Sequence, residues 1–253
     1  MIVKESGETT VQQGEGLYEA LLQCVRGRRS IRSFQTRPVP EAAILRIMEA
    51  GRWAPSGANS QPWEFIVVKR RDSLDEIGRL FVEDRKQRLL EKVNFPGSAK
   101  SYLFQVPAML VVVADPRWKQ TYPGTDFTPE LQDMYARNSD LIFAQSVAAA
   151  IENMFLAAAA LGIGMAWLSG FAEERLGMAL RRLLMIPEPL LLMAGLPIGY
   201  PQPVGQSRLR RPLEDFVHFE TYAPDRLKKD EFFRDYCLRE RNRLAYGASS
   251  EEK

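Results

Sequence analysis

What the chain has least of narrows it first. A single histidine, His218, stands among 253 residues. Most histidine-based triads and metal clusters need more than one, and Phe216-Val217-His218-Phe219 reads as a strand in which the imidazole is structural. Two cysteines, Cys24 and Cys237, cannot build a disulfide framework, and both sit in helix-like patterns. An excess of one charge is missing too. The 34 basic and 32 acidic residues leave +2 and are interspersed, so no stripe for nucleic acid is expected. The most apolar region, Val147 to Leu168, is broken by Glu152 and Asn153. Charge at mid-bilayer is costly, so a buried core helix and a strand are expected there, with no membrane span. Met1 to Gly16 is polar and lacks an apolar signal core, which makes the cytoplasm the expected compartment. No GxGxxG follows a strand, since Gly162 and Gly164 are a lone pair after a helix, and no Walker lysine motif is present. Internal repeats and low-complexity linkers are likewise absent.

What is there is an ordinary globular composition, 45% hydrophobic and 26% charged, in a chain long enough for one good-sized core. Leu17, Ala20, Leu21, Cys24 and Val25 repeat at helical spacing, and Gly27 is placed to end that helix in a left-handed conformation. A second helix is expected from Glu41 to about Arg52, stopped by Trp53-Ala54-Pro55. Glu64 to Val68 reads as a strand, residues 72 to 92 as a charged helix, and Val106 to Ala114 as a buried strand. Asn138 or Ser139 is placed to cap a long central helix reaching Leu161. Met165 to Leu168, Glu173 to Leu184 and Pro189 to Gly199 read as strand, helix and strand. The expected fold is α+β, a central mixed sheet flanked by helices. The tail from Glu220 to Lys253 is charged and helical yet carries Phe232, Phe233, Tyr236, Leu238 and Leu244. A solvated tail has no use for those residues, so they are expected to pack on something, a second subunit being one possibility.

Two segments carry chemistry. Arg28-Arg29-Ser30-Ile31-Arg32-Ser33-Phe34 crowds three guanidinium groups and a hydroxyl into five positions. Guanidinium forks match phosphate oxygens. Ala54-Pro55-Ser56-Gly57-Ala58-Asn59-Ser60-Gln61-Pro62-Trp63 is a turn-rich loop whose amides can meet a planar polar ring. A basic run alone is as readily a solvated face. Joined to that loop by one short helix, it points to a cofactor with a phosphate at one end and a heteroaromatic ring at the other.

The pairing R-R-S-x-R-x-F, helix, A-P-S-x-x-N-x-Q-P-W resembles the nitroreductase family of FMN-dependent flavoproteins, and the likeness runs from about Leu17 to Phe219. It implies an intertwined homodimer with FMN at the subunit interface, a cofactor-binding unit over 1–219 and a C-terminal extension over 220–253 that packs on the partner. It further implies that Arg28, Arg29, Ser30 and Arg32 bind the FMN phosphate, ribityl chain and ring edge. Pro55, Ser56, Gly57 and Asn59 match the loop that reaches the partner's flavin. Leu168, Ser169 and Gly170 match the segment beside flavin N5, with Ser169 the catalytic contact. Arg208 and Arg210 match a second pair of phosphate contacts. The implied activity is transfer of hydride from NAD(P)H through FMN to a small electron-poor acceptor, a nitroaromatic or quinone, in ping-pong fashion. The hydroxyl of Ser169 and the Lys100-Ser101-Tyr102-Leu103 segment also resemble the iodotyrosine deiodinase branch, in which the lysine matching Lys100 meets flavin and substrate. That keeps open a reductive dehalogenase working through the FMN semiquinone. Leu80 to Asn94, however, holds no tyrosine to grip a phenolic amino acid. A flavin carrier or sensor without catalysis is the alternative of another class.

Overall fold

The computed structural model describes residues 11–92, 100–121, 128–203 and 210–236. Five α-helices run in chain order: α1 (Val11–Gly27), α2 (Glu41–Arg52), α3 (Arg71–Leu90), α4 (Pro129–Ala160) and α5 (Glu174–Leu183). The four strands are β1 (Trp63–Val68), β2 (Ala108–Ala114), β3 (Gly164–Met165) and β4 (Leu191–Gly199), in sheet order β1-β2-β4-β3.

β2 is the hub. All seven of its residues are buried, and side chains on a strand alternate between faces. Met109, Val111 and Val113 therefore join a core with Leu74, Ile77 and Phe81 of α3 and Leu176 and Leu180 of α5. Ala108, Leu110, Val112 and Ala114 join a second core with Ile44 and Ile47 of α2 and Phe143, Val147, Ile151 and Met154 of α4. The result is three layers, and it explains why β2 is apolar at every position rather than at alternate ones. Each valine, leucine, isoleucine, methionine or phenylalanine among them, fully buried, contributes roughly 1.5–3 kcal/mol. A charge at Val111 would be stranded between the layers.

Every pairing among the four strands is antiparallel. The parallel element expected of a mixed sheet is reduced, among the described residues, to one bridge between Ser30 and Met165. Three local expectations also change. Gly27 is the last residue of α1 and is not left-handed; the Arg28 N–H closes the helix on the Cys24 carbonyl at 2.9 Å. The long helix starts at Pro129, with the Thr128 side chain accepting from the Leu131 N–H, and not at Asn138 or Ser139. Phe216 to Phe219 forms no strand; the Ala223 N–H donates to Nδ1 of His218 at 3.2 Å and the Tyr222 ring stacks on the imidazole, so local turns take up the hydrogen bonds.

α4 is apolar and long enough by composition to cross a membrane, but 44% of its most apolar window is buried against the rest of the chain. The two residues that interrupt it have partners. Asn153 Nδ2 donates to the Ala50 carbonyl at 3.1 Å, satisfying the end of α2, and Glu152 pairs with Arg28 at 3.4 Å. Cys24 is a half-buried free thiol, and Cys237 lies outside the described residues.

Candidate functional site

The arginine segment leaves α1 and runs alongside β3. The Ile31 N–H donates to the Met165 carbonyl at 2.8 Å, which forms the Ser30–Met165 bridge. Ile31 packs so closely on Gly164 that a Cβ there would fall 2.5 Å from Ile31 Cγ1, so glycine is required at the crossing. Three residues beyond Met165 the chain pairs again: the Leu168 N–H donates to the Gly195 carbonyl at 2.9 Å, and the Gly195 N–H returns to the Leu168 carbonyl at 3.2 Å. Ser169 to Ala172 then form a 3₁₀ turn on which Ser169 is exposed and Phe171 is fully buried. Two segments far apart in sequence, 28–32 and 168–170, are thus brought to the same edge of the sheet.

Around Arg28 and Arg29 lies a cavity of about 510 Å³, bounded by Gln23, Cys24, Phe155 and Gly162. Arg28 is partly committed elsewhere: its guanidinium pairs with Glu152 and sits 5.7 Å from the Phe155 ring centroid. Arg32 has cationic company. Burial, and after it the charge of Arg32, holds the Lys100 ammonium below the usual lysine range. Tyr102 completes the cluster. Burial pushes its phenol up to about 12, while the Arg32 cation pulls in the opposite direction. Its hydroxyl is buried and meets no partner in hydrogen-bonding geometry. Two cations and a hydroxyl without a fully formed hydrogen bond, near one another, are unfavourable on their own and suit a group rich in acceptors.

The loop over 55–61 is built differently from its neighbours. Ala58, Asn59 and Gln61 all have positive φ, at 51°, 54° and 46°. Non-glycine residues avoid that region, and three within four positions persist only where the surroundings enforce them. The enforcement is visible. Ser146 Oγ on α4 accepts from the Gly57 N–H at 3.1 Å and donates to the Ile142 carbonyl at 2.7 Å. Ser56 Oγ accepts from the Gln61 N–H at 3.0 Å, and Asn59 Oδ1 accepts from Gln61 Nε2 at 3.3 Å. Pro55 is exposed, Ser56 and Gly57 half-buried, and Asn59 exposed. This loop and the arginine segment both attach to α4, through Ser146 and Glu152. Those positions are about 9 Å apart along the axis and about 120° apart around it, so within one chain the two segments attach to different faces of α4.

Arg210 is exposed at the start of the last described stretch, and Arg208 lies outside the described residues. No group of three or more His, Cys, Asp or Glu among the described residues is placed to hold a metal ion. Ser146 is the position hardest to pick out from the sequence. A serine inside an apolar helix reads as core, although an isolated hydroxyl in such a run is itself a signal that it bonds to backbone.

The fold thus sets its arginine segment beside the 168–170 turn and carries a strained loop on the central helix. The chain belongs to the Nitroreductase family, whose model matches residues 25–200. It is 31% identical over 215 residues to an Archaeoglobus fulgidus protein named "Putative NADH dehydrogenase/NAD(P)H nitroreductase", covering 85% of this chain and 99% of that one. It is 28% identical over 193 residues to the iodotyrosine deiodinase of Drosophila melanogaster, covering 72% of this chain and 62% of that one. A Desulfovibrio desulfuricans protein crystallised in complex with FMN superposes with a TM-score of 0.57 at 28% identity, over 80% of this chain and 98% of that one.

Proposed function

We propose that this protein is an FMN-dependent NAD(P)H oxidoreductase that works as a cytoplasmic homodimer. It reduces electron-poor acceptors such as nitroaromatics or quinones, which follow the nicotinamide into the same space. The observation that carries the reading is the Ser30–Met165 bridge, because it sets the arginine segment beside the 168–170 turn. The residues fit the cofactor. Lys100 has no anionic partner among the described residues, and the Tyr102 hydroxyl lies buried beside the Arg32 guanidinium without a fully formed hydrogen bond. FMN, when bound, supplies hydride acceptance and return of the electrons.

The chain's own residues do the rest. Arg28, Arg29, Ser30 and Arg32, with Arg208 and Arg210, hold the phosphate and the chain that follows it. Leu168, Ser169 and Gly170 present backbone groups to the reactive edge, and Ser169 offers its exposed hydroxyl there. Pro55, Ser56, Gly57 and Asn59 reach the second subunit's site, which agrees with their attachment to a different face of α4 from that of the arginine segment of their own chain. Lys100 orients the acceptor. The domain reading stands in the same terms, a cofactor-binding unit over 1–219 and an extension over 220–253 that packs on the partner. The apolar face of α1, where Leu17 is 73% exposed, and the wholly exposed first ten residues of α4 give such a partner a surface to cover.

Anaerobic mixing tests the activity. NADH or NADPH should bleach the yellow protein, and a nitroaromatic or quinone should restore its colour in a second, separable step. Bound flavin that neither nicotinamide reduces would leave a carrier, not an enzyme. A second reading, reductive dehalogenation, is favoured by Lys100, whose partial burial beside Arg32 suits an acceptor bearing a carboxylate or phenolate. Turnover of a halophenol by the reduced protein would establish it.

A further inference from the structure

The 169–172 turn is held from outside the sheet as well as from within it. Phe81, Asp84 and Arg88 lie three and four positions apart on α3 and so form one stripe, and that stripe faces the turn. The Phe81 and Phe171 ring centroids are 5.5 Å apart. A Cβ on Gly170 would stand 3.5 Å from the Phe81 ring and 3.6 Å from Glu173 Oε1. Arg88 Nε donates to Asp84 Oδ2 at 2.7 Å, and Arg88 Nη2 pairs with Glu173 Oε2. Arg88 and Asp84 are mostly shielded, with side chains 24% and 12% exposed, while Glu173 is 41% exposed, so the Arg88 end of the link is held in place and the Glu173 end is open to solvent.

Glu173 makes the arrangement unusual. It is the residue preceding α5, with extended backbone at φ −74° and ψ 139°, yet its side chain caps nothing. Glutamate is not among the preferred cap side chains, although a carboxylate near a helix N-terminus is favoured by the helix dipole. Here the carboxylate is turned to Arg88 instead, while the Glu173 N–H donates to the Gly170 carbonyl at 3.3 Å. A second ion pair joins the same two helices further along, Arg175 Nη2 to Glu91 Oε1 at 2.9 Å, without touching the turn.

We infer that Arg88 and Glu173 are positioning residues that latch the Ser169–Gly170 backbone to α3 and thereby set how the cofactor's reactive edge is held. The inference rests on the flavin reading above. Donors held in one orientation stabilise one oxidation state of a bound cofactor over the other. Loosening them therefore changes the redox potential and not merely the affinity.

The test uses full-length FMN-loaded protein and compares Arg88→Met, Glu173→Gln, the double variant, Arg88→Lys and Arg175→Gln. The readouts are the midpoint potential of the bound flavin and amide exchange over 168–172. Arg88→Met and Glu173→Gln should retain FMN, speed exchange in the turn, and shift the ratio of affinities for reduced and oxidised flavin threefold to tenfold. Tenfold corresponds to about 30 mV for a two-electron couple. The double variant should shift no further than either single one, because both break the same link. Arg88→Lys should restore most of the shift. Arg175→Gln, which cuts the neighbouring pair, should leave the potential unchanged. An unchanged potential in Glu173→Gln, or an equal shift in Arg175→Gln, overturns the latch while the flavin reading stands. A chain that takes up no FMN overturns both.

Discussion

The ring of Phe171 occupies the space that a side chain on Gly195 would need. A Cβ built at Gly195 overlaps the ring, which is itself fully buried. The central strand β4 gives up a side chain so that the turn carrying Ser169 and Gly170 can be plugged directly onto the sheet. The plug and the reciprocal Leu168–Gly195 hydrogen bonds locate the turn at one height on β4.

Gly195→Ala should therefore be disruptive out of proportion to one methyl group. Overpacking a filled core costs typically about 1–3 kcal/mol, and a domain of this size loses about 2–4 °C in Tm per kcal/mol. Thermal unfolding should show a fall of several degrees, accompanied by weaker FMN retention. A variant as stable as the parent would mean that the ring is free to move aside.

Ser146→Ala should release the 55–61 loop. The Gly57 N–H would lose the Ser146 hydroxyl, and a half-buried hydrogen bond of this kind contributes about 0.5–1.5 kcal/mol net. Amide exchange at residues 56–61 should accelerate, with little change in the rest of the chain. Unchanged exchange would show that Ser56 and Gln61 hold the strained residues without help from α4.

Tyr102 gives a pH dependence with a definite sign. Its ordinary value is about 10 and its native value about 12, so on raising the pH the unfolded chain loses this proton first. Its contribution is intact below about pH 10 and is lost as the pH rises through about 12, at most about 3 kcal/mol in all. The stability of the parent should fall through that window more steeply than that of Tyr102→Phe. Parallel curves would place the phenol in a wetter, better-partnered setting than the folded chain shows.

The C-terminal segment folds back on what precedes it. Lys228 pairs with Asp215 at 3.0 Å, and Arg211 lies 4.0 Å from the Phe216 ring centroid and 5.8 Å from that of Phe232. Phe233 and Tyr236 remain about half exposed. Truncation after His218 should weaken dimerisation and FMN binding together, as read by sedimentation with absorbance at the flavin band. A truncated chain that remains a flavin-loaded dimer would assign the tail no such role.

Much of this architecture is legible in the sequence, and the failures have physical causes. α2 announces itself because Ile44 and Ile47 share a buried face, and β2 because both its faces are covered. The first turns of α4 leave no such mark: residues 129–138 are exposed all round, so no apolar stripe exists to be read. Thr128 and Pro129 are nonetheless a sound cap and first-turn pair. The aromatic alternation of Phe216 to Phe219 imitates a strand, but turns supply its hydrogen bonds. Of the candidate site, the arginine segment and the turn-rich 54–63 loop could be read directly, and the 168–170 and 100–103 segments through the family resemblance. The contacts that hold them could not. The Ser146 anchor and the Arg88–Glu173 pair depend on which helices the sheet brings together, and spacing along the chain carries no trace of that.

The central claim is the cofactor, and identifying what the purified chain carries tests it most directly. Absorption spectroscopy followed by chromatography of the released chromophore should find FMN at about one per chain. Arg32→Ala should lower its affinity by roughly 10- to 150-fold, the equivalent of one charge-assisted bond of about 1.5–3 kcal/mol. Release of FAD, or a colourless chain that ignores added FMN, would contradict the account.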